Sequence, residues 1–163
     1  RELERYLDRN DQFEDLARER VAGQSFAGFY GAYRQRFALQ DYITRLVHHT
    51  RCSDSAFIVA LLYLRRVLTA TPQLRVTSHS VHRLYMTSLV VAVKYLDDEV
   101  YANHYYAMVG GMTLAELNRL ELELLVLLGF DCSVDPDIFA VLDEQVQMDE
   151  WCSEVSSLSQ DFP

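Results

Sequence analysis

The stretch that decides the fold is His82-Arg83-Leu84-Tyr85-Met86-Thr87-Ser88-Leu89-Val90-Val91-Ala92-Val93-Lys94-Tyr95-Leu96-Asp97-Asp98. Its apolar side chains fall on every side of a helix rather than along one stripe. A helix without a broad polar face belongs in the middle of a bundle. The pattern places its start near residues 78–80 and its end near 97. Upstream, residues 56–64 are apolar in the same all-round way. Ser53 supplies the cap for that helix, which runs to about residue 69 and stops ahead of Pro72. Two buried helices are therefore expected at the centre.

Working outward, Leu114, Leu117, Leu120, Leu124 and Leu128 recur at steps of three and four, with Glu116, Arg119 and Glu123 on another face. Thr113 and Glu116 form a capping box and Gly129 ends the pattern, which predicts a helix over 114–128. Gly110-Gly111 punctuates the chain just before it. Residues 40–50 make a shorter amphipathic helix with Tyr42, Ile43, Leu46 and Val47 apolar, and the tyrosine-rich residues 101–109 make another. Asp135-Pro136 is a cap with proline at the first helical position, opening a helix through Phe139, Leu142 and Val146. The fold class is all-α, with five helices within residues 40–130. No period of 20–50 residues signals a solenoid. Residues 1–39, with Phe26, Phe29, Tyr30, Tyr33 and Phe37, read as one or two accessory helices. Residues 149–163 read as a loose acidic tail.

A chain of 163 residues fits one domain, and 50% hydrophobic with 24% charged residues excludes wholesale disorder. The longest uninterrupted apolar stretch, residues 56–64, is too short to span a bilayer, so no membrane role is expected. The first residues, Arg1-Glu2-Leu3-Glu4, are neither a start methionine nor a signal peptide, and the expectation is a piece of a longer chain. The net charge of −9 is unevenly spread: all 15 basic residues lie at or before Arg119, and 11 acids follow it. Such a chain has no basic stripe to neutralise a run of phosphates, so nucleic acid is not an expected partner and one with a basic surface fits better. Cys52, Cys132 and Cys152 are odd in number and lack metal spacing, which reads as reduced thiols in an intracellular compartment.

Catalytic constellations are missing. His79 and His82 are three apart but have no third ligand at a metal-site spacing, and they read as exposed or capping residues near a helix N-terminus. The adjacent His48 and His49 read as surface histidines. Phosphate-cradling glycine loops, nucleophile elbows and the HExxH pattern are all absent. Asp97-Asp98 reads as a solvated helix end. Glu121 and Glu123, two apart on a helix, diverge rather than forming an acid–base dyad. No enzyme, metal or small-molecule cofactor is expected. The residue that stands out is Lys94, the only lysine in the chain, placed directly after the most apolar run. An unpaired ammonium costs several kcal/mol to bury. Spacing leaves two readings: a snorkelling stem with its charge in water, or an ammonium at the edge of a groove.

The succession 82–88 and 91–98, then Asn103-His104-Tyr105-Tyr106-Ala107-Met108-Val109-Gly110-Gly111, then Glu116-Leu117-Asn118-Arg119-Leu120-Glu121, resembles the cyclin box. In particular it is similar to the P/U-type cyclins, the branch related to the phosphate-signalling cyclins of fungi and plants. Asp41-Tyr42-Ile43-Thr44-Arg45-Leu46 and Cys52-Ser53-Asp54-Ser55-Ala56-Phe57 fit that branch's first two helices. The resemblance implies N-terminal accessory helices over 1–39, a five-helix cyclin box over 40–132, and a C-terminal helix with an acidic tail over 133–163. It implies a non-catalytic subunit that binds and activates a cyclin-dependent serine/threonine protein kinase. The alternative it leaves is a cyclin-fold transcription adaptor or scaffold, against which the missing positive charge after Arg119 counts.

In cyclins a lysine on the third helix and a glutamate on the fifth meet at the groove that receives the kinase, and the matching positions are Lys94 and Glu121. Phe130 matches a position that packs on the kinase, and Val91, Tyr95 and Leu125 are the implied apolar neighbours. Two departures stand out. Tyr63 is followed by Leu64, Arg65 and Arg66 where cell-cycle cyclins usually carry an aspartate, and the first helix lacks their hydrophobic substrate-docking signature. Location is expected to be intracellular, in nucleus or cytoplasm, following the kinase.

Overall fold

Two helices that are apolar on every side have to be wrapped in others, and the computed structural model has that arrangement. It describes residue 7 and residues 10–11, 23–24, 26–33 and 37–147. After a 3-10 turn at Ala27–Phe29 come α1 (Leu39–Thr50), α2 (Asp54–Ala70), α3 (Val81–Leu96), α4 (Asn103–Gly110), α5 (Leu114–Leu127) and α6 (Pro136–Gln147). Among the described residues there is no strand, and the fold is an all-α bundle. The accessory helices expected over 1–39 lie largely outside the described residues, and the tail expected over 149–163 lies wholly outside them.

The hub is α3, in which every residue from Leu84 to Val93 is buried. It packs against α2 on one side and α5 on the other; α4 lies between α1 and α5, and α6 covers α2. Caps set the helix ends. Ser53 Oγ accepts from Ala56 N (3.2 Å), and Asp135 Oδ1 accepts from Asp137 N (2.8 Å) and Ile138 N (3.3 Å). Both arms of the α5 capping box form, Glu116 N to Thr113 Oγ1 (3.2 Å) and Thr113 N to Glu116 Oε2 (2.9 Å). Gly110 is required by close approach, since a Cβ there would lie 2.8 Å from Met86 Cγ. Its carbonyl also accepts from Tyr42 Oη (3.0 Å), pinning α4 to α1. The N-terminal turn lies on α5, where a Cβ on Gly28 would meet Glu123 Oε2 at 2.7 Å.

Several sequence expectations are corrected by tertiary structure. Asp97 is not simply a solvated helix end. Its two oxygens accept from Ser53 N (3.0 Å) and Ser53 Oγ (2.6 Å), tying the end of α3 to the start of α2 and showing that the two run antiparallel. His82 is buried rather than exposed, with Nε2 3.2 Å from the Phe37 carbonyl and its ring edge-on to Tyr42; desolvation pushes its pKa down. His79 Nδ1 lies 3.1 Å from the Gly31 carbonyl. α3 does start next to residues 78–80, as the pattern places it; Ser80 Oγ there donates to Arg75 O (3.0 Å) and accepts from Thr77 N (2.9 Å) within the preceding loop. Of the α5 leucine stripe, Leu117, Leu120 and Leu124 are fully buried, whereas Leu114, in the first turn, is exposed.

Burial decides which leucines hold the bundle. Leu89→Ala is expected to lower unfolding free energy by about 2–5 kcal/mol, and Leu122→Ala, on the exposed face of α5, by about 0.5 kcal/mol or less. Urea denaturation followed by circular dichroism checks both, and equal effects would contradict the packing described.

The α5 cap carries a pH signature. Hydrogen bonds from Thr113 N, and then from the Thr113 hydroxyl and Arg83, hold the Glu116 carboxyl below its ordinary 4.5. A depressed folded-state value means a contribution that is complete above the ordinary value and is lost as pH falls through the folded one. Glu116→Gln is therefore expected to lower the urea midpoint at pH 7, with the gap from wild type narrowing as pH drops below 4.5.

Candidate functional site

Lys94 occupies the last turn of α3, where a cation complements the carbonyl end of the helix dipole. It is also the first residue past the dry run, so its stem leaves the core and its ammonium reaches the surface. There its Nζ meets Glu121 Oε1 of α5 at 2.6 Å, with the two side chains 37% and 16% exposed. The second carboxylate oxygen is held as well: Glu121 Oε2 accepts from Asn103 Nδ2 (2.8 Å), at the first position of α4. The other Asn103 N–H goes to Asn118 Oδ1 (2.7 Å), one turn back from Glu121 on α5. Three helices thus converge on one carboxylate. The ammonium spends one of its three donors on Glu121 and keeps two for the outside.

Exposed apolar side chains accompany this pair. Tyr95 follows Lys94 directly, and Leu122 and Val126 stand one turn apart on the solvent side of α5; all three are exposed. Leu125, one turn beyond Glu121, is half-buried. Phe130 ends the row, 64% exposed. Val91 departs from expectation: it is 4% exposed and belongs to the core, so it offers no surface of its own.

Phe130 is held by the helix terminus. Its N–H bonds Leu125 O (2.8 Å) and that of Gly129 bonds Val126 O (3.0 Å), the two bonds of a Schellman motif. Gly129 takes φ 63° and Phe130 itself φ 58°. Glycine adopts that left-handed conformation freely, but for a bulky aromatic it is an outlier held by its surroundings. Tyr63 Oη, donating to Cys132 O (2.8 Å), fixes the chain just beyond.

Other candidate chemistry does not assemble. Glu123 faces away from Glu121, toward Gly28 and Arg119, and burial pushes its carboxyl up. Burial likewise raises the Cys52 and Cys132 thiols, which keeps both from being ready nucleophiles at neutral pH. His48 and His49 are exposed. Among the described residues no group of three or more His, Cys, Asp or Glu side chains is placed to hold a metal, and no helix is long and apolar enough to cross a membrane. Sequence reasoning assigned no role to Asn103 or Asn118, although both lie inside the motifs that carried the resemblance. The signal that finds Asn103 is its convergence with Glu121 in space, which neither periodicity nor composition contains.

Comparison with known proteins bears on this arrangement. The family model for cyclins matches residues 3–132. The chain is 44% identical over 139 residues to Cyclin-U4-1 of Arabidopsis thaliana, covering 84% of this chain and 68% of that one. Two rice proteins (Oryza sativa subsp. japonica) are similar as well. Cyclin-P4-1 is 38% identical over 85% of this chain and 65% of its own length, and Cyclin-P3-1 is 42% identical over 84% and 58%. The chain therefore spans between 58% and 68% of the length of these three relatives.

The strain at Phe130 is testable by itself. Asparagine tolerates the left-handed region, so Phe130→Asn is expected to leave stability unchanged or raise it by up to about 1 kcal/mol. Urea denaturation checks this; a loss of 2 kcal/mol or more, on the order of a core truncation, would make Phe130 part of the core instead.

Proposed function

The chain belongs to the cyclin family, with the P- and U-type cyclins, and on that premise we propose that it binds and activates a cyclin-dependent serine/threonine protein kinase as a non-catalytic subunit. The observation that carries this reading is the 2.6 Å Lys94–Glu121 ion pair, formed by the chain's only lysine where α3 and α5 meet, with exposed Tyr95 and Leu122 next to the two charges in sequence and exposed Val126 and Phe130 farther along the chain. Lys94 presents two unspent N–H donors to backbone carbonyls of the kinase. Glu121 fixes its direction, and the apolar side chains exclude water around it.

Activation then needs no chemistry from this chain. A protein kinase positions the phosphates of ATP through an ion pair between a strand lysine and a helix glutamate, and that helix can swing out of place. A subunit that binds the swung-in form more tightly shifts the equilibrium toward it by its differential affinity and by nothing else. In this reading α3 and α5 are the preferential surface, residues 40–132 are the unit that carries it, and the complex works inside the cell wherever its kinase is found.

Charge reversal at the centre of the surface tests the proposal. Lys94→Glu is expected to keep the fold and to lose about 2–5 kcal/mol of kinase affinity, roughly thirty- to several-thousand-fold. Titration calorimetry or surface plasmon resonance against purified cyclin-dependent kinases measures the affinity, and circular dichroism checks the fold. A folded Lys94→Glu protein that binds and activates its kinase like wild type would sink the assignment.

A further inference from the structure

Glu121 is braced on one side by Lys94 and on the other by an amide whose orientation has a single solution. Asn103 Nδ2 lies 2.8 Å from Glu121 Oε2 and 2.7 Å from Asn118 Oδ1, so its two N–H groups meet two acceptors. Turning the amide over would set Asn103 Oδ1 against a carboxylate oxygen that can only accept, so Glu121 fixes the orientation whichever way the exposed Asn118 amide turns. The arrangement leaves Asn103 Oδ1 buried with no partner among the described residues. A buried orphan acceptor is a real cost, and native structures keep one only where the other bonds outweigh it. Both of those other bonds go to α5, and one of them ends on the carboxylate that holds Lys94.

We propose that Asn103 is the positioning residue of the kinase-binding groove: by bonding Glu121 Oε2 it fixes the carboxylate so that Oε1 faces Lys94 and the ammonium's free donors point outward. The inference rests on the reading of Lys94 and Glu121 as the centre of that groove, and deepens it. Without Asn103, Glu121 Oε2 loses the bond that holds it and the carboxylate can change rotamer, and Lys94 loses the anchor that gives its charge a direction. Asn118 completes the brace from within α5, one turn from Glu121.

The substitutions can be chosen so that helix propensity does not confuse the outcome. Residue 103 is the first of α4, where an acid favours the helix through its dipole, so Asn103→Asp removes the donors without weakening α4 itself. It also sets a second carboxylate against Glu121. Adding Glu121→Gln reverses the hydrogen bond: the new amide donates to the new carboxylate while its carbonyl oxygen still accepts from Lys94. The exposed Asn118 amide can turn over to donate in its place. Dependence on the Asn103–Glu121 bond predicts rescue by this exchange, and the reactivity of Lys94 separates positioning from a merely structural role.

Two readouts separate failure of the inference from failure of the reading beneath it. The first needs no kinase. Lys94 is the only lysine, so its acetylation by an N-hydroxysuccinimide ester, followed by mass spectrometry of the peptide that contains it, reports directly on how firmly Nζ is held. Asn103→Ala is expected to speed that reaction severalfold, by about the same factor as Glu121→Gln, and the double variant to be no faster than either. An Asn103→Ala rate equal to wild type would overturn the inference, as would an unchanged rate in Glu121→Gln.

The second readout is affinity for a purified cyclin-dependent kinase that binds the wild-type chain. Asn103→Asp is expected to bind at least tenfold more weakly, and Asn103→Asp with Glu121→Gln to recover most of that loss. A double variant no tighter than Asn103→Asp, with Glu121→Gln alone close to wild type, would overturn the inference while leaving the proposed function standing. If no kinase binds wild type, the proposed function falls and the acetylation rates still decide whether Asn103 positions the pair.

Discussion

Everything in this fold depends on keeping α3 dry on all sides. From Leu84 to Val93 every residue is buried, a run of about 15 Å at the helical rise. No single neighbour can cover a helix all round, so α2 and α5 must flank it, and α1 and α4 must close the remaining side. The same constraint locates the site. Lys94 is the first residue beyond the dry run, and it is a cation because the helix ends there in unpaired carbonyls and open solvent. The position of the ion pair is thus set by the length of the apolar run.

The pair at that end contributes little to holding the bundle together. With Lys94 37% exposed, the ion pair is worth about 1 kcal/mol or less to folding, since water solvates the separated charges nearly as well. Its value to the molecule is geometric. The carboxylate is anchored from two helices and the ammonium from one, so the acid is fixed and the base has donors to spare. In the proposed complex the partner covers the pair, and the solvent screening that makes it weak in the free chain disappears. The same charges then become expensive to leave unmatched. On the proposed function, a weak contact for stability becomes a strong discriminator of partners.

Much of the architecture was legible along the chain because it is encoded locally. The Thr113–Glu116 capping box, the Ser53 cap and Asp135-Pro136 are sequence-adjacent arrangements, and the structure forms each as read. What could not be read locally is what lies 44 or 45 residues away: Ser53 turning Asp97 into a clasp, and the Phe37 carbonyl meeting a buried His82. Val91 shows the limit from the other side. One helical turn from Lys94 is close in sequence, yet that turn points into the core. The pairing of Lys94 with Glu121 came from resemblance, because helical spacing says nothing about which residue of another helix will stand opposite.

Local rules are broken at Asn103 and at Phe130, and the pattern of breaks is informative. Buried polar atoms without partners occur elsewhere too, at His82 Nδ1 and Ser88 Oγ on α3 and Glu123 Oε2 on α5, so an orphan acceptor alone marks nothing. At Asn103 the orphan accompanies two bonds that both serve α5. At Phe130 a bulky residue in a left-handed conformation accompanies 64% exposure, so the backbone strain is not offset by burying the ring within this chain. Sequences that fold well usually agree with themselves at every level, and departures gather where another demand competes. Here the departures fall at the first residue of α4, whose amide holds Glu121, and just past the end of α5, the helix that carries Glu121; these are the two places where the proposed binding role would compete with folding.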